Sequence, residues 1–113
     1  MKKNETPANC AVTDDPLDEL RKHADEATAL LKALSNSNRL LILCTLTGGE
    51  MSVSELHAKF GLSQSALSQQ LAILRNEGLV KTRRQSQSIY YSLAPSKSLQ
   101  IIETLKDLYC SNV

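Results

Sequence analysis

Ser63, Gln64, Ser65, Ser68 and Gln69 fall within one short stretch, GLSQSALSQQ, and bring hydroxyl and amide groups but no charge. Such side chains suit hydrogen bonding to base edges and phosphates, since a hydroxyl bonds either partner and Gln can make a bidentate pair with adenine. A second chemistry rests with the thiols Cys10, Cys44 and Cys110, spread singly along the chain. A structural zinc site wants four thiolate or imidazole ligands at recognisable spacing, and the scattered cysteines with His23 and His57 do not offer it, so no metal is expected. Both histidines read as surface residues of their helices. There is no glycine-rich phosphate loop, no Cys-x-x-Cys and no apparent nucleophile-base-orienter set, which argues against an enzyme and implies no cofactor.

The polar residues need a helix to present them, and Ser52 to Val80 supplies one. Ser52 three residues before Glu55 is a capping box, and Val53, Leu56 and Phe60 then recur at helical spacing. Gly61 permits a sharp reversal and Ser63 is placed to cap the next helix, whose inward face is Ala66, Leu67, Leu71 and Leu74. The polar set lies outside that face. A plain solvated hairpin is the bland alternative, but its outer face would carry Glu and Lys. The uncharged face over Ser63 to Gln70 instead predicts a helix-turn-helix that reads double-stranded DNA.

Gly78 ends the second helix of the pair, after which Leu79 to Arg84 and Ser88 to Leu93 read as two short strands around the turn Gln85-Ser86-Gln87. Ile89, Tyr91 and Leu93 alternate with Ser88, Tyr90 and Ser92, as in a half-buried strand. This hairpin is a wing. Overall charge is nearly balanced, at thirteen basic against twelve acidic residues, but its distribution is uneven. Arg75, Lys81, Arg83 and Arg84 face only Glu77 between Arg75 and Tyr91, and such residues bind phosphates by releasing counterions. Arg75, Arg83, Arg84 and Gln87 join the predicted DNA contacts, with the wing tip near backbone or minor groove. The competing reading of the wing is a sheet edge blunted by charge.

At 113 residues the chain forms one domain, small for a helical protein that must hold a hairpin rigid. Residues 1–14, polar and carrying Pro7, have no helical stripe and read as a mobile tail before a domain over 15–113. Asp15-Pro16 opens a long first helix whose apolar face runs through Leu20, Ala24, Ala27, Leu30, Leu31 and Leu34. Leu40 to Leu46 is apolar nearly all round, predicting a buried second helix stopped at Gly48-Gly49. Pro95 precedes a last helix carrying Ile101, Ile102, Leu105, Leu108 and Tyr109. First and last helices carry more apolar surface than a small core needs, which predicts a homodimer built on them. Two reading helices would then meet half-sites about one helical turn, roughly 34 Å, apart, so the target is an inverted repeat. No apolar run approaches membrane-spanning length and no signal-peptide core follows Met1-Lys2-Lys3, so no membrane partner is expected and the cytoplasm is the predicted location. A winged-helix module that binds protein instead of DNA is the reading from a different class.

The order helix-helix-helix-turn-helix-wing-helix resembles the ArsR/SmtB family of bacterial winged-helix repressors from about Pro16 to Cys110. LLKALSNSNRLLILCTL and GLSQSALSQQLAILRNEGLVKTRRQSQSIYYSL carry the resemblance, LSQSALSQ most specifically. It implies a mainly α, winged helix-turn-helix dimer in which an effector lowers affinity for operator DNA. The metal-sensing members carry a thiolate pair where this chain has Glu55 to Lys59, without cysteine, and their last-helix ligands are unmatched in Glu103 to Tyr109. Gln70 stands where relatives often have His, which bears on the operator sequence.

Free Cys is a common small core residue, which would account for Cys44 in the second helix. Cys110 fits that account less well, because at 100° per residue it lies roughly opposite Ile101, Leu105 and Leu108. In a reducing cytosol a dithiol is more often a switch than a staple. LLILC in the second helix with LYC ending the last is similar to the persulfide-responsive BigR/SqrR-like, HlyU-related subgroup. That resemblance implies that Cys44 and Cys110 are a redox-sensing pair bridged when reactive sulfur species accumulate. Cys10 has no firm counterpart. A peroxide-driven disulfide, or purely structural cysteines in a regulator with another ligand, are the alternatives within the family.

Overall fold

The computed structural model describes residues 15–110. The expected tail and Cys10 lie outside them. Helix α1, Pro16–Leu34, begins where Asp15 Oδ1 accepts the Leu17 amide hydrogen at 2.9 Å, with Asp18 and Glu19 in the first turn. Proline in the first turn loses no hydrogen bond, and acidic residues there complement the helix dipole. The chain divides after Leu31 into two compact units. In the first, Leu17, Leu20 and Leu31 are exposed while Ala24, Ala27 and Leu30 are half-buried.

The second unit holds the end of α1 and everything after it. Asn36 caps α2, Ser37–Leu46, by accepting the Arg39 amide hydrogen at 3.1 Å. Ile42, Leu43 and Leu46 are buried, but Leu41 is 51% exposed and Cys44 only half-buried. The expectation of burial on all sides therefore does not hold: Leu41 and Thr45, four residues apart, share a face that the core does not cover.

Strand β1, Met51–Ser52, leads into α3, Val53–Phe60. The capping box forms as expected: the Glu55 amide donates to Ser52 Oγ at 3.1 Å, and the Ser52 amide donates to Glu55 Oε1 at 2.8 Å. Gly61 then reverses the chain at φ 66°, in the left-handed region where a side chain is disfavoured. Helix α4, Gln64–Asn76, follows, and β2, Val80–Gln85, pairs antiparallel with β3, Ser88–Leu93. Gln85 pairs with Ser88, so the turn is the two residues Ser86 and Gln87 rather than three, and Ser86 takes φ 57°. The wing is also wider than a hairpin. Met51 pairs with Tyr91 and Ser52 with Tyr90, making a sheet of order β1-β3-β2. Two residues are too few for alternation to announce a strand. Of the three inward positions expected on β3, Tyr91 is buried while Ile89 and Leu93 are half-buried.

Helix α5, Ser98–Tyr109, closes the fold and packs against α2. Ile42, Leu43, Leu56, Leu67, Leu74 and Ile102 form the centre of the core, so every helix of this unit from α2 to α5 contributes to it. Among the described residues no helix is long and apolar enough to cross a membrane.

Candidate nucleic-acid interface and thiol pair

Helix α4 is divided as the sequence predicts. Leu67, Leu71 and Leu74 are buried, Ala66 is half-buried, and Gln64, Ser65, Ser68, Gln69 and Arg75 are exposed. Ser63 is exposed too, but its Oγ accepts the Ala66 amide hydrogen at 3.1 Å and lies 3.4 Å from Ser65 Oγ. Its acceptor is thus committed to starting the helix. The remaining side chains form a ridge with donors and acceptors open to solvent, of a size that the major groove of B-DNA admits.

Gln70 does not continue this ridge. It is half-buried, and its Oε1 accepts from Arg39 Nη1 at 2.9 Å. Arg39 also donates from Nε to the Ala33 carbonyl at 2.7 Å and from Nη2 to the Lys32 carbonyl at 3.3 Å. One guanidinium thereby reaches two carbonyls at the end of α1 and ties α2 to α4 through Gln70. The sequence signal for it was a single arginine between the polar Ser35 to Asn38 and the apolar run from Leu40, and it was missed. Arg39→Met keeps the length of the side chain and removes these bonds, so it is expected to lower stability by about 1–3 kcal/mol. A urea midpoint unchanged from that of the parent chain would contradict this role.

On the wing, Lys81, Arg84 and Gln87 are exposed. Arg83 is otherwise engaged. Its Nε and Nη2 donate to the Glu50 carboxylate at 2.7 and 2.8 Å, Nη1 donates to Gln85 Oε1 at 2.6 Å, and its guanidinium lies 4.7 Å from the centre of the Tyr90 ring. The side-chain bond from Arg83 holds the Glu50 carboxyl below its ordinary value, and the same bond raises the guanidinium of Arg83. A carboxylate so held keeps its charge in mild acid. Its contribution is present above the ordinary carboxylate value and fades as pH falls through the lowered one. Glu50 escaped the sequence reading because it sits 33 residues from its partner. Glu50→Gln should free Arg83 for phosphate and steepen the dependence of log affinity on log salt by about one unit. An unchanged slope in duplex titrations at several salt concentrations would show that Arg83 gains no phosphate when released.

Cys44 is half-buried in the C-terminal half of α2, which packs on α5, and Cys110 is the exposed residue capping α5. Burial pushes the Cys44 thiol above its ordinary value, with smaller upward contributions from Cys110 and Glu103, while the Lys106 ammonium opposes them. Groups on α5 thus act on the Cys44 thiol from across the α2–α5 packing. His23, exposed on α1, has Nδ1 3.5 Å from Glu26 Oε1, and His57 is half-buried on α3. Among the described residues no three His, Cys, Asp or Glu side chains gather as metal ligands would.

This arrangement can be set beside known proteins. The family described as bacterial regulatory protein, arsR family, matches residues 36–82, from the start of α2 into the wing. The transcriptional activator HlyU of Vibrio cholerae is 49% identical over 94 residues, covering 83% of this chain and 87% of that protein. A biofilm growth-associated repressor of Agrobacterium fabrum is 46% identical over 96 residues, covering 85% of this chain and 82% of its own length. The structure of reduced HlyU from Vibrio cholerae N16961 superposes with a TM-score of 0.77 at 49% identity, covering 81% of this chain and 97% of that one.

Proposed function

This chain belongs to the arsR family of bacterial regulatory proteins, and from that premise we propose that it is a dimeric repressor whose operator is released when reactive sulfur species join Cys44 to Cys110. Transcriptional regulation through a winged helix-turn-helix is common ground with its relatives. Reactive sulfur as effector, the homodimer and the inverted-repeat operator are our reading. The observation that carries it is the packing of α2 on α5, the two helices whose ends hold Cys44 and Cys110, with Cys110 among the groups whose charge is felt at Cys44. Exposed Leu17, Leu20 and Leu31 on α1, with Leu108 and Tyr109 on α5, support association through those two helices. Solvent-exposed leucines on each of these helices are surface that a second copy would cover. That a similar protein has been described in a reduced form also favours a thiol readout.

The chemistry requires no cofactor. Cys110, being exposed, is the thiol a low-molecular-weight persulfide reaches first. Its thiolate attacks the terminal sulfur of R–S–S–H, the S–S bond breaks, and R–S⁻ leaves with the electron pair. The thiolate of Cys44 then attacks the Sγ of the Cys110 persulfide and expels HS⁻, giving a direct disulfide. If Cys44 has itself become a persulfide, its terminal sulfur makes the same attack and the product is a trisulfide. In either route the sulfane sulfur of the donor is reduced and the two protein thiols are oxidised, so electrons balance without another oxidant. A covalent link between α2 and α5 constrains both the helix fastened to α4 and a helix of the dimer contact. A coupling free energy of about 1–3 kcal/mol corresponds to a five- to 150-fold loss of operator affinity.

Mass spectrometry of the Cys44 and Cys110 peptides, paired with operator affinity in the same sample, tests the reading. A persulfide donor is expected to yield the cross-linked peptide pair and to weaken binding, whereas peroxide alone serves as the comparison. Release of DNA by peroxide, with no sulfur-dependent product, would assign the pair to ordinary disulfide formation. The DNA-binding part has its own check: affinity for an inverted-repeat duplex should fall steeply with salt, and random competitor should not match it.

A further inference from the structure

Lys106 lies one helical turn before Cys110 and is half-buried, unlike the neighbouring Asp107 and Leu108. Its Nζ donates to Thr47 Oγ1 at 3.1 Å. The Thr47 hydroxyl in turn donates to the Cys44 carbonyl at 2.6 Å, and the Thr47 amide reaches the same carbonyl at 3.2 Å. At the other end of the residue, the Lys106 carbonyl accepts the Cys110 amide hydrogen at 2.7 Å. A continuous chain of hydrogen bonds therefore runs from the backbone of one cysteine to the backbone of the other, and Lys106 is the link that crosses between helices. Its ammonium also sits at the C-terminal end of α2, where open carbonyls favour a cation.

We propose that Lys106 is the positioning residue of the thiol pair, pinning α5 to the end of α2 and presenting its charge to the sulfur that must ionise to close the bridge. The inference deepens the sulfur-sensing reading and rests on Cys44 and Cys110 being the reacting pair. Closure needs the Cys44 thiolate, because only the ionised sulfur is the nucleophile. Burial works against that ionisation, and so do Cys110 at the end of α5 and the Glu103 carboxylate midway along it; Lys106 is the group that favours it. Hydrogen bonding fixes where that charge stands. A lysine elsewhere on the exposed side of α5 would be screened by solvent and would not hold the helix in place.

The experiment uses the full-length reduced protein, with Lys106→Gln to remove the charge and Lys106→Arg to keep it. Alkylation of Cys44 by iodoacetamide is followed as a function of pH by peptide mapping. Loss of the charge should move the midpoint of the Cys44 profile upward by about half a unit to one unit, and Lys106→Arg should leave it with the parent chain. After a pulse of persulfide donor, Lys106→Gln should close the bridge roughly three- to tenfold more slowly at neutral pH, so that Cys110 persulfide accumulates unclosed. A Lys106→Gln midpoint that coincides with the parent's overturns the proposal, as does an upward shift of equal size in Lys106→Arg, which would mark a merely structural effect. The alkylation profile needs no sulfur donor. If the parent chain forms no bridge at all, the sensing reading fails while the midpoints still decide the part assigned to Lys106.

Discussion

Replacing Cys110 by serine is expected to leave the protein on its operator at donor concentrations that release the parent chain. Serine matches cysteine closely in size, and at an exposed helix-capping position the substitution disturbs little. The capping bond from the backbone at residue 110 to the Lys106 carbonyl does not involve the side chain. Affinity of the untreated variant should therefore equal that of the parent, and only the response should vanish, from a five- to 150-fold weakening to none. Cys44→Ser should give the same silent phenotype with a small loss of stability, since its hydroxyl would sit half-buried where a weakly polar thiol was. The two substitutions together should add nothing to either alone, because a bridge needs both ends. Operator titration of parent, single and double variants with and without donor measures all of this. Variants that let go of DNA as readily as the parent would make the cysteines structural and require another effector.

Leu74→Ala is expected to cost about 2–5 kcal/mol, the usual range for emptying a fully buried leucine site. Leu74 is 0% exposed and belongs to the same helix that carries the outward Ser65, Ser68 and Gln69. Domains of this kind have only about 5–15 kcal/mol in total, so the loss is a large fraction of what holds the chain folded. Ile73, the preceding residue, is 37% exposed, and Ile73→Ala should cost under about 1 kcal/mol. Urea unfolding of the two variants makes the comparison internal: same helix, similar side chains, different burial. Equal midpoints would mean that α4 is not seated by its leucine face. The functional corollary is that Leu74→Ala should also weaken operator binding, because a helix that leaves its seat loses the register of its polar ridge on the duplex.

These expectations show which residues could be understood from their neighbours in the chain. Ser52 and Glu55 had only to reach three residues along a helix, and they did so. Leu67, Leu71 and Leu74 recur at the helical period, and that period alone placed them inward and Ser65, Ser68 and Gln69 outward. The strands of the wing were legible from their composition, although pairing shortened the turn by one residue. Arg83 shows the opposite case. As one of two adjacent arginines near a turn it looked free for phosphate, and nothing within its own strand announced that Glu50 would occupy it. Gln70 likewise followed the polar run of its helix, yet Arg39 draws it out of that run.

Local periodicity, capping and turn chemistry act over a few residues, and they determined from the sequence the helices, the wing and the polar face of α4. What only the tertiary structure decided is where side chains from separate elements meet: Glu50 with Arg83, Arg39 with Gln70, and Lys106 with Thr47. The reason is physical. A hydrogen bond, an ion pair or a sulfur bridge depends on distances of a few ångströms, and between residues far apart in sequence that distance is set by how buried leucine and isoleucine side chains pack one helix on another.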